Sequence, residues 1–257
     1  MRVPVIAANW KMYKTTGPAV EFVQDLVPRL GGREGVEVVI CPPFTCIPAV
    51  ASALFAEGER GIGVGAQNLH WEKEGAFTGE VSAPMLRDLG CSHVIIGHSE
   101  RRLYFGETDL TVNRRVLAAL ANGLTPIFCL GETLEERRAG ITLSVCATQL
   151  HFGLEEGISA EEAARLIIAY EPVWAIGTGV NATPGDAEEV ISFLRGQLMK
   201  EYGSEVAERV RILYGGSVKP DNIGPIMAQP NVDGALVGGA SLQAESFAAI
   251  VDAARKR

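Results

Sequence analysis

Short apolar runs rich in β-branched residues recur along the chain. They fall at Val5–Asn9, Glu37–Cys41, Gly63–Ala66, His93–Gly97, Thr125–Cys129, Leu166–Tyr170, Arg211–Tyr214 and Gly234–Val237. Runs this short, bounded by Gly, Pro and polar residues, predict buried strands. The segments between them carry apolar residues three and four apart, as an amphipathic helix does. Phe22, Val23, Leu26 and Val27 form one such stripe, with Pro28 placed to end or kink the helix. Val112, Val116, Leu117 and Leu120 form another, with Gly123 where a C-terminal cap belongs. Thr183-Pro184-Gly185-Asp186 reads as an N-cap, a first-turn proline and an acidic third position. Strands alternating with helices imply a parallel sheet. Eight such units in 257 residues predict a single α/β domain spanning 1–257, a closed (β/α)8 TIM barrel.

Composition narrows the partners. Apolar residues make up 47% of the chain, enough for a large core, and no linker divides it. No apolar span reaches 18 residues and no signal peptide is evident, so the expectation is a soluble cytoplasmic protein without a membrane partner. A net charge of −8 argues against nucleic acid as a partner, because phosphate backbones need clustered Lys and Arg. Five cysteines, an odd number without a C-x-x-C pair, support neither a disulfide framework nor a zinc ribbon. The four histidines are scattered without ligand spacing, so no metal and no organic cofactor are expected.

In a parallel barrel the chemistry belongs at the C-terminal strand tips. Those tips carry Asn9-Trp10-Lys11 after the first strand, Gly97-His98-Ser99-Glu100 after the fourth and Glu171 after the sixth. Gly215-Gly216-Ser217 follows the seventh and Gly238-Gly239 the eighth. Each alone has a plain reading: a solvated lysine, a histidine capping a helix, a glutamate on an ordinary loop, two glycine turns. Their meeting at successive tips is what points to a site. Pro172 should stop the sixth strand and leave Glu171 at its tip, ahead of an apolar segment ending in Gly177-Thr178-Gly179 that suits a lid. Glycine-rich turns bind phosphate through backbone N–H groups without needing net protein charge. Lys11 can supply the local positive charge and Ser217 a hydroxyl, which implies a small phosphorylated substrate.

Asn9-Trp10-Lys11-Met12, Gly97–Arg102, Cys129–Thr133, Ala169–Gly179, Tyr214–Val218 and Leu236–Gly239 together resemble the triosephosphate isomerase family in order and spacing. Of these, Glu171-Pro172-Val173-Trp174-Ala175-Ile176-Gly177 is the most specific and the glycine pairs the least. The resemblance implies interconversion of dihydroxyacetone phosphate and glyceraldehyde 3-phosphate through an enediol(ate). It implies Glu171 as the base, and His98 as a neutral electrophile on a helix N-terminus. It further implies Asn9 and Lys11 as substrate contacts, with Lys11 also offsetting developing charge. Gly177, Ser217, Gly238 and Gly239 would hold the phosphate. Val180 departs from the lysine many members carry. The loop Gln67–Val81, with Phe77-Thr78-Gly79-Glu80, resembles the family's interdigitating loop and implies a homodimer. A phosphate-binding barrel with other chemistry, or a non-catalytic scaffold, is the alternative. Retention of Lys11, His98 and Glu171 together argues against both.

Overall fold

The computed structural model describes residues 2–31, 34–59, 61–155, 157–176 and 182–255. Eight strands pair in parallel, each with the next in sequence and the last with the first, closing a barrel. They are β1 (Val5–Asn9), β2 (Glu37–Cys41), β3 (Ile62–Ala66), β4 (His93–Ile96), β5 (Thr125–Leu130), β6 (Ile167–Tyr170), β7 (Arg211–Tyr214) and β8 (Gly234–Val237). Each agrees with its apolar run to within one residue at either end. The strand β4 stops at Ile96 because Gly97 turns the chain at φ +69°, a conformation that costs a glycine little.

Alternation along the strands sorts the core into two layers. Val5, Ala7, Val39, Cys41, Ile95, Ile127, Cys129, Ile167, Ala169, Leu213 and Leu236 fill the barrel interior. The residues between them, such as Ile6, Ala8, Val38, Ile40, Phe128, Ile168 and Ile212, pack outward in a separate layer with the helices. Both layers are buried, which is why the strands read as continuous apolar runs. The helix Thr16–Arg29 buries Phe22, Val23 and Leu26, and ends one residue beyond Pro28. Thr183 caps the helix Pro184–Tyr202 in a reciprocal capping box with Asp186. Gly123, at φ +71°, follows the helix Asp109–Ala121.

The same two-residue phase fixes what lies at the ends of the barrel. Continued past the C-terminal tips, the inward positions are Asn9, Glu171, Gly215 and Gly238. At the opposite mouth they include Glu37, His93 and Arg211. There His93 Nε2 lies 3.0 Å from Glu37 Oε1, and Arg211 donates to Glu37 Oε2 at 3.0 Å, tying β4 and β7 to β2. The hydrogen bond from His93, aided by the Arg211 charge and opposed by burial, holds the Glu37 carboxyl below its ordinary value of 4.5. A depressed carboxyl stabilises the fold above its unfolded pKa, and this contribution is lost as pH falls through the folded value. Glu37→Gln should therefore flatten the decline in urea midpoint on acidification below about pH 5. Parallel acid profiles for the two proteins would show that this network does not carry acid stability.

Candidate active site

One cavity of about 730 Å³ opens at the C-terminal strand tips and is lined by Asn9, Lys11, His98, Glu171, Ser217, Gly238 and Gly239, among others. Every proposed site residue within the described set therefore faces one space. Gly177 and Val180 lie outside the described residues.

Glu171 is 1% exposed, an unusual setting for a carboxylate. Its N–H donates to Leu130 O at 2.8 Å, so β5 holds its backbone. The side chain reaches Ser99, whose N–H donates to Oε2 at 2.8 Å. Oε1 lies 2.9 Å from His98 Nε2, yet accepts no aligned hydrogen bond. Room for this arrangement depends on Gly215, where an added Cβ would approach Glu171 Cγ to 2.9 Å.

His98 is the N-cap of the helix Ser99–Phe105. Its Nδ1 accepts the Glu100 N–H at 3.2 Å, which requires that nitrogen to be unprotonated. The ring is then neutral and carries its proton on Nε2, beside Glu171. Two influences compete over a second proton. Burial disfavours the imidazolium, but the charge and contact of Glu171, joined by Glu100, outweigh burial and Lys11 and raise the ring's pKa. The helix N-terminus and the Glu100 N–H act against that rise. The expected helix effect is thus one of several forces on the ring, and the neighbouring carboxylates pull the other way.

Lys11 adopts φ +52°, rare for a residue with a side chain. Asn9 Oδ1 accepts its N–H at 3.0 Å, and Gln67 Nε2 donates to its carbonyl at 2.9 Å and to Cys41 O at 3.0 Å. These contacts hold the strained turn. The side chain then crosses the cavity to Glu100, with Nζ 2.6 Å from Oε1. Beside it, β8 runs through Gly238 into the 3₁₀ turn Gly239–Leu242, whose first amides have no partner within the turn. A buried carboxylate, a neutral imidazole, an ammonium and the backbone amides that open a 3₁₀ turn converge here. That set can move a proton, polarise a carbonyl and hold a phosphate.

The triosephosphate isomerase family model matches residues 4–254. The chain belongs to the triosephosphate isomerase family. It is 61% identical over 252 residues to a triosephosphate isomerase of Moorella thermoacetica, covering 98% of this chain and 99% of the other. It is 59% identical over 251 residues to that of Carboxydothermus hydrogenoformans, with 98% of each chain covered. To that of Symbiobacterium thermophilum it is 58% identical over 254 residues, covering 99% and 98%.

Membership of the triosephosphate isomerase family directs attention to what the strand-tip reading passed over. Gln67, one residue past β3, braces Lys11. Glu132, two residues past β5, is fully buried and accepts from Tyr170 Oη at 3.1 Å and Trp174 Nε1 at 2.9 Å. The Arg137 guanidinium lies 4.6 Å from the Trp174 ring and also bonds Asp186. This cluster fixes the stem that leaves Glu171, a 3₁₀ turn over Val173–Ala175. The segment Cys129–Thr133 was the available signal, since it follows a strand and carries a carboxylate.

Proposed function

We propose that this chain is a triosephosphate isomerase in which Glu171, His98 and Lys11 carry the reaction, the whole chain acting as one catalytic domain. The observation that supports it most is the buried Glu171 carboxylate 2.9 Å from the neutral His98 ring, in the cavity that Lys11 and Gly238 also line. Glu171 takes the proton from the carbon beside the substrate carbonyl. His98 Nε2–H donates to the carbonyl oxygen as negative charge develops there. The protonated Glu171 returns the proton at the neighbouring carbon while the hydroxyl proton passes from one substrate oxygen to the other by way of His98 Nε2, and the aldose and ketose interconvert. Asn9 and Lys11 contact substrate; Ser217, Gly238, Gly239 and Gly177 hold the phosphate. No step calls for a cofactor. The test is turnover of glyceraldehyde 3-phosphate coupled to NADH oxidation by glycerol-3-phosphate dehydrogenase. Fast turnover supports the reading, and a folded protein without turnover refutes it.

The reaction fits the cytoplasm, where the five buried, unpaired cysteines would stay reduced. Among the described residues no helix is long and apolar enough to cross a membrane.

The reading includes a homodimer through the loop around Phe77-Thr78-Gly79. Within that loop His70 stacks on Trp71 and lies tilted against Phe77, with ring centroids 4.3 Å apart in both contacts. Exposed apolar side chains gather on the loops and helices after β1, β3 and β4: Met12, Tyr13, Phe77, Met85, Tyr104 and Phe105. Met12 is 94% exposed although it directly follows the catalytic lysine. Exposed apolar side chains of this kind support an interface there, and burying them would also brace the Lys11 turn. Thr78→Arg should shift the protein to monomers on light scattering and cut kcat roughly a hundredfold, since a misplaced catalytic group costs about that much. A fully active dimer would remove this interface.

A further inference from the structure

At the end of the barrel opposite the site, a second cavity of about 770 Å³ is lined by residues that precede or open their strands. It has four arginines, Arg2, Arg165, Arg209 and Arg211, against two carboxylates, Glu208 and Asp233. In a chain of net charge −8 this is a local excess of positive charge.

The carboxylates are already engaged. Asp233 accepts from Arg2 Nε at 2.7 Å and Arg195 at 2.6 Å, and also from the Ile212 N–H. Glu208 pairs with Arg2 at 2.7 Å, and Arg211 is taken by Glu37. Arg165 and Arg209 are exposed, and no carboxylate pairs with either among the described residues. Glu162 is close enough to feel the Arg165 charge, but its carboxylate serves Ser159. Ile167 of β6 pairs with Arg211 of β7. Arg165 follows the short helix Ala160–Ala163 ahead of β6, Arg209 closes the helix Ser204–Arg209 ahead of β7, and both line this one cleft. Two guanidinium groups that line one cleft with no carboxylate paired to either disfavour each other, and an anion held between them would remove that cost.

We infer that this cleft is a second anion site, taking a compact metabolite that bears a phosphate or polyphosphate. Guanidinium forks match phosphate oxygens in pairs, and Thr125 adds a hydroxyl. Val3, Ala164 and Pro230 offer a small apolar floor, while no aromatic ring lines the cleft to stack a nucleobase. Because the site lies at the far end of the barrel, its ligand stabilises the fold by linkage without competing with substrate.

The test is equilibrium dialysis of pyrophosphate against the full chain, the Arg165→Ala/Arg209→Ala double variant and Lys11→Met. The wild type should hold two pyrophosphates, one at each end of the barrel. The double variant should lose the second site by roughly tenfold or more in affinity while keeping wild-type kcat and KM. The Arg165→Lys/Arg209→Lys protein should recover part of the loss. Lys11→Met should weaken only the other site. A single wild-type site abolished by Lys11→Met, or a second site unchanged in the double variant, overturns the inference. The dialysis result does not depend on turnover, so failure of the isomerase reading would be seen separately.

Discussion

Replacing Glu171 by Gln is expected to lower kcat about a thousandfold, within the range that a positioned general base contributes. The amide keeps the size of the carboxylate and can still accept the Ser99 N–H through its oxygen, so the fold and the phosphate grip should survive. It cannot take up a proton from carbon. Its NH2 would instead face the Nε2–H of His98, two donors in the place of a donor and an acceptor. Binding of a phosphorylated substrate analogue should therefore stay within about threefold of wild type, because binding common to both states is preserved when only the transition-state interaction is lost. Turnover within about tenfold of wild type would remove Glu171 as the base.

The same substitution separates the forces on His98. Burial lowers the ring's pKa, and Glu171 is the leading influence that raises it above the ordinary value. Without that carboxylate the pKa should fall, and the neutral ring should persist to lower pH. Titration of the imidazole nitrogens by NMR in both proteins reads this directly. An unchanged titration would mean that the Glu171 charge does not govern the ring, leaving the helix N-terminus and Glu100 to set it.

The barrel was legible because its strands are buried on both faces and each is bounded by a residue that breaks it. Pro172, directly after Glu171, lets β6 end at Tyr170, and Gly97 ends β4 just before His98. Those two breaks leave Glu171 and His98 just past the ends of their strands, and both are visible as single residues. What pattern could not reveal depends on partners distant in sequence. Gln67 looks like any polar residue after a strand until the barrel brings it beneath the Lys11 carbonyl. Glu37, His93 and Arg211 lie on three strands and meet only because inward phase and strand stagger coincide at the N-terminal mouth. Glu132 stands in the Cys129–Thr133 segment after β5, but its latch to Tyr170 and Trp174 depends on β6 and the stem beyond it and could not be read locally. The lone histidine and lysine became readable through position, at the tips of the first and fourth strands.

Lys11→Met tests whether the strained turn after β1 exists for its charge. Methionine keeps an unbranched apolar stem and removes the ammonium, leaving Glu100 without its partner. Glu100 is partly exposed and can be solvated, so the melting temperature should change little. The kinetic loss should be large. In the proposed role Lys11 supplies positive potential within an acidic protein and offsets charge developing on the substrate oxygen. Losing such a group costs on the order of a hundredfold to a thousandfold in kcat. Lost attraction for the phosphate should raise KM as well, so kcat/KM should fall further than either constant alone. Lys11→Gly provides the contrast. The φ of +52° is natural to glycine, so this variant should gain stability as backbone strain of order 1 kcal/mol is relieved. It should be as inactive as the methionine variant. A more stable and inactive glycine protein would show that the chain holds an unfavourable conformation at this position to place one ammonium. Wild-type kcat/KM in Lys11→Met would instead exclude the electrostatic role, and the phosphate grip would then rest on the amides of Gly238 and Gly239.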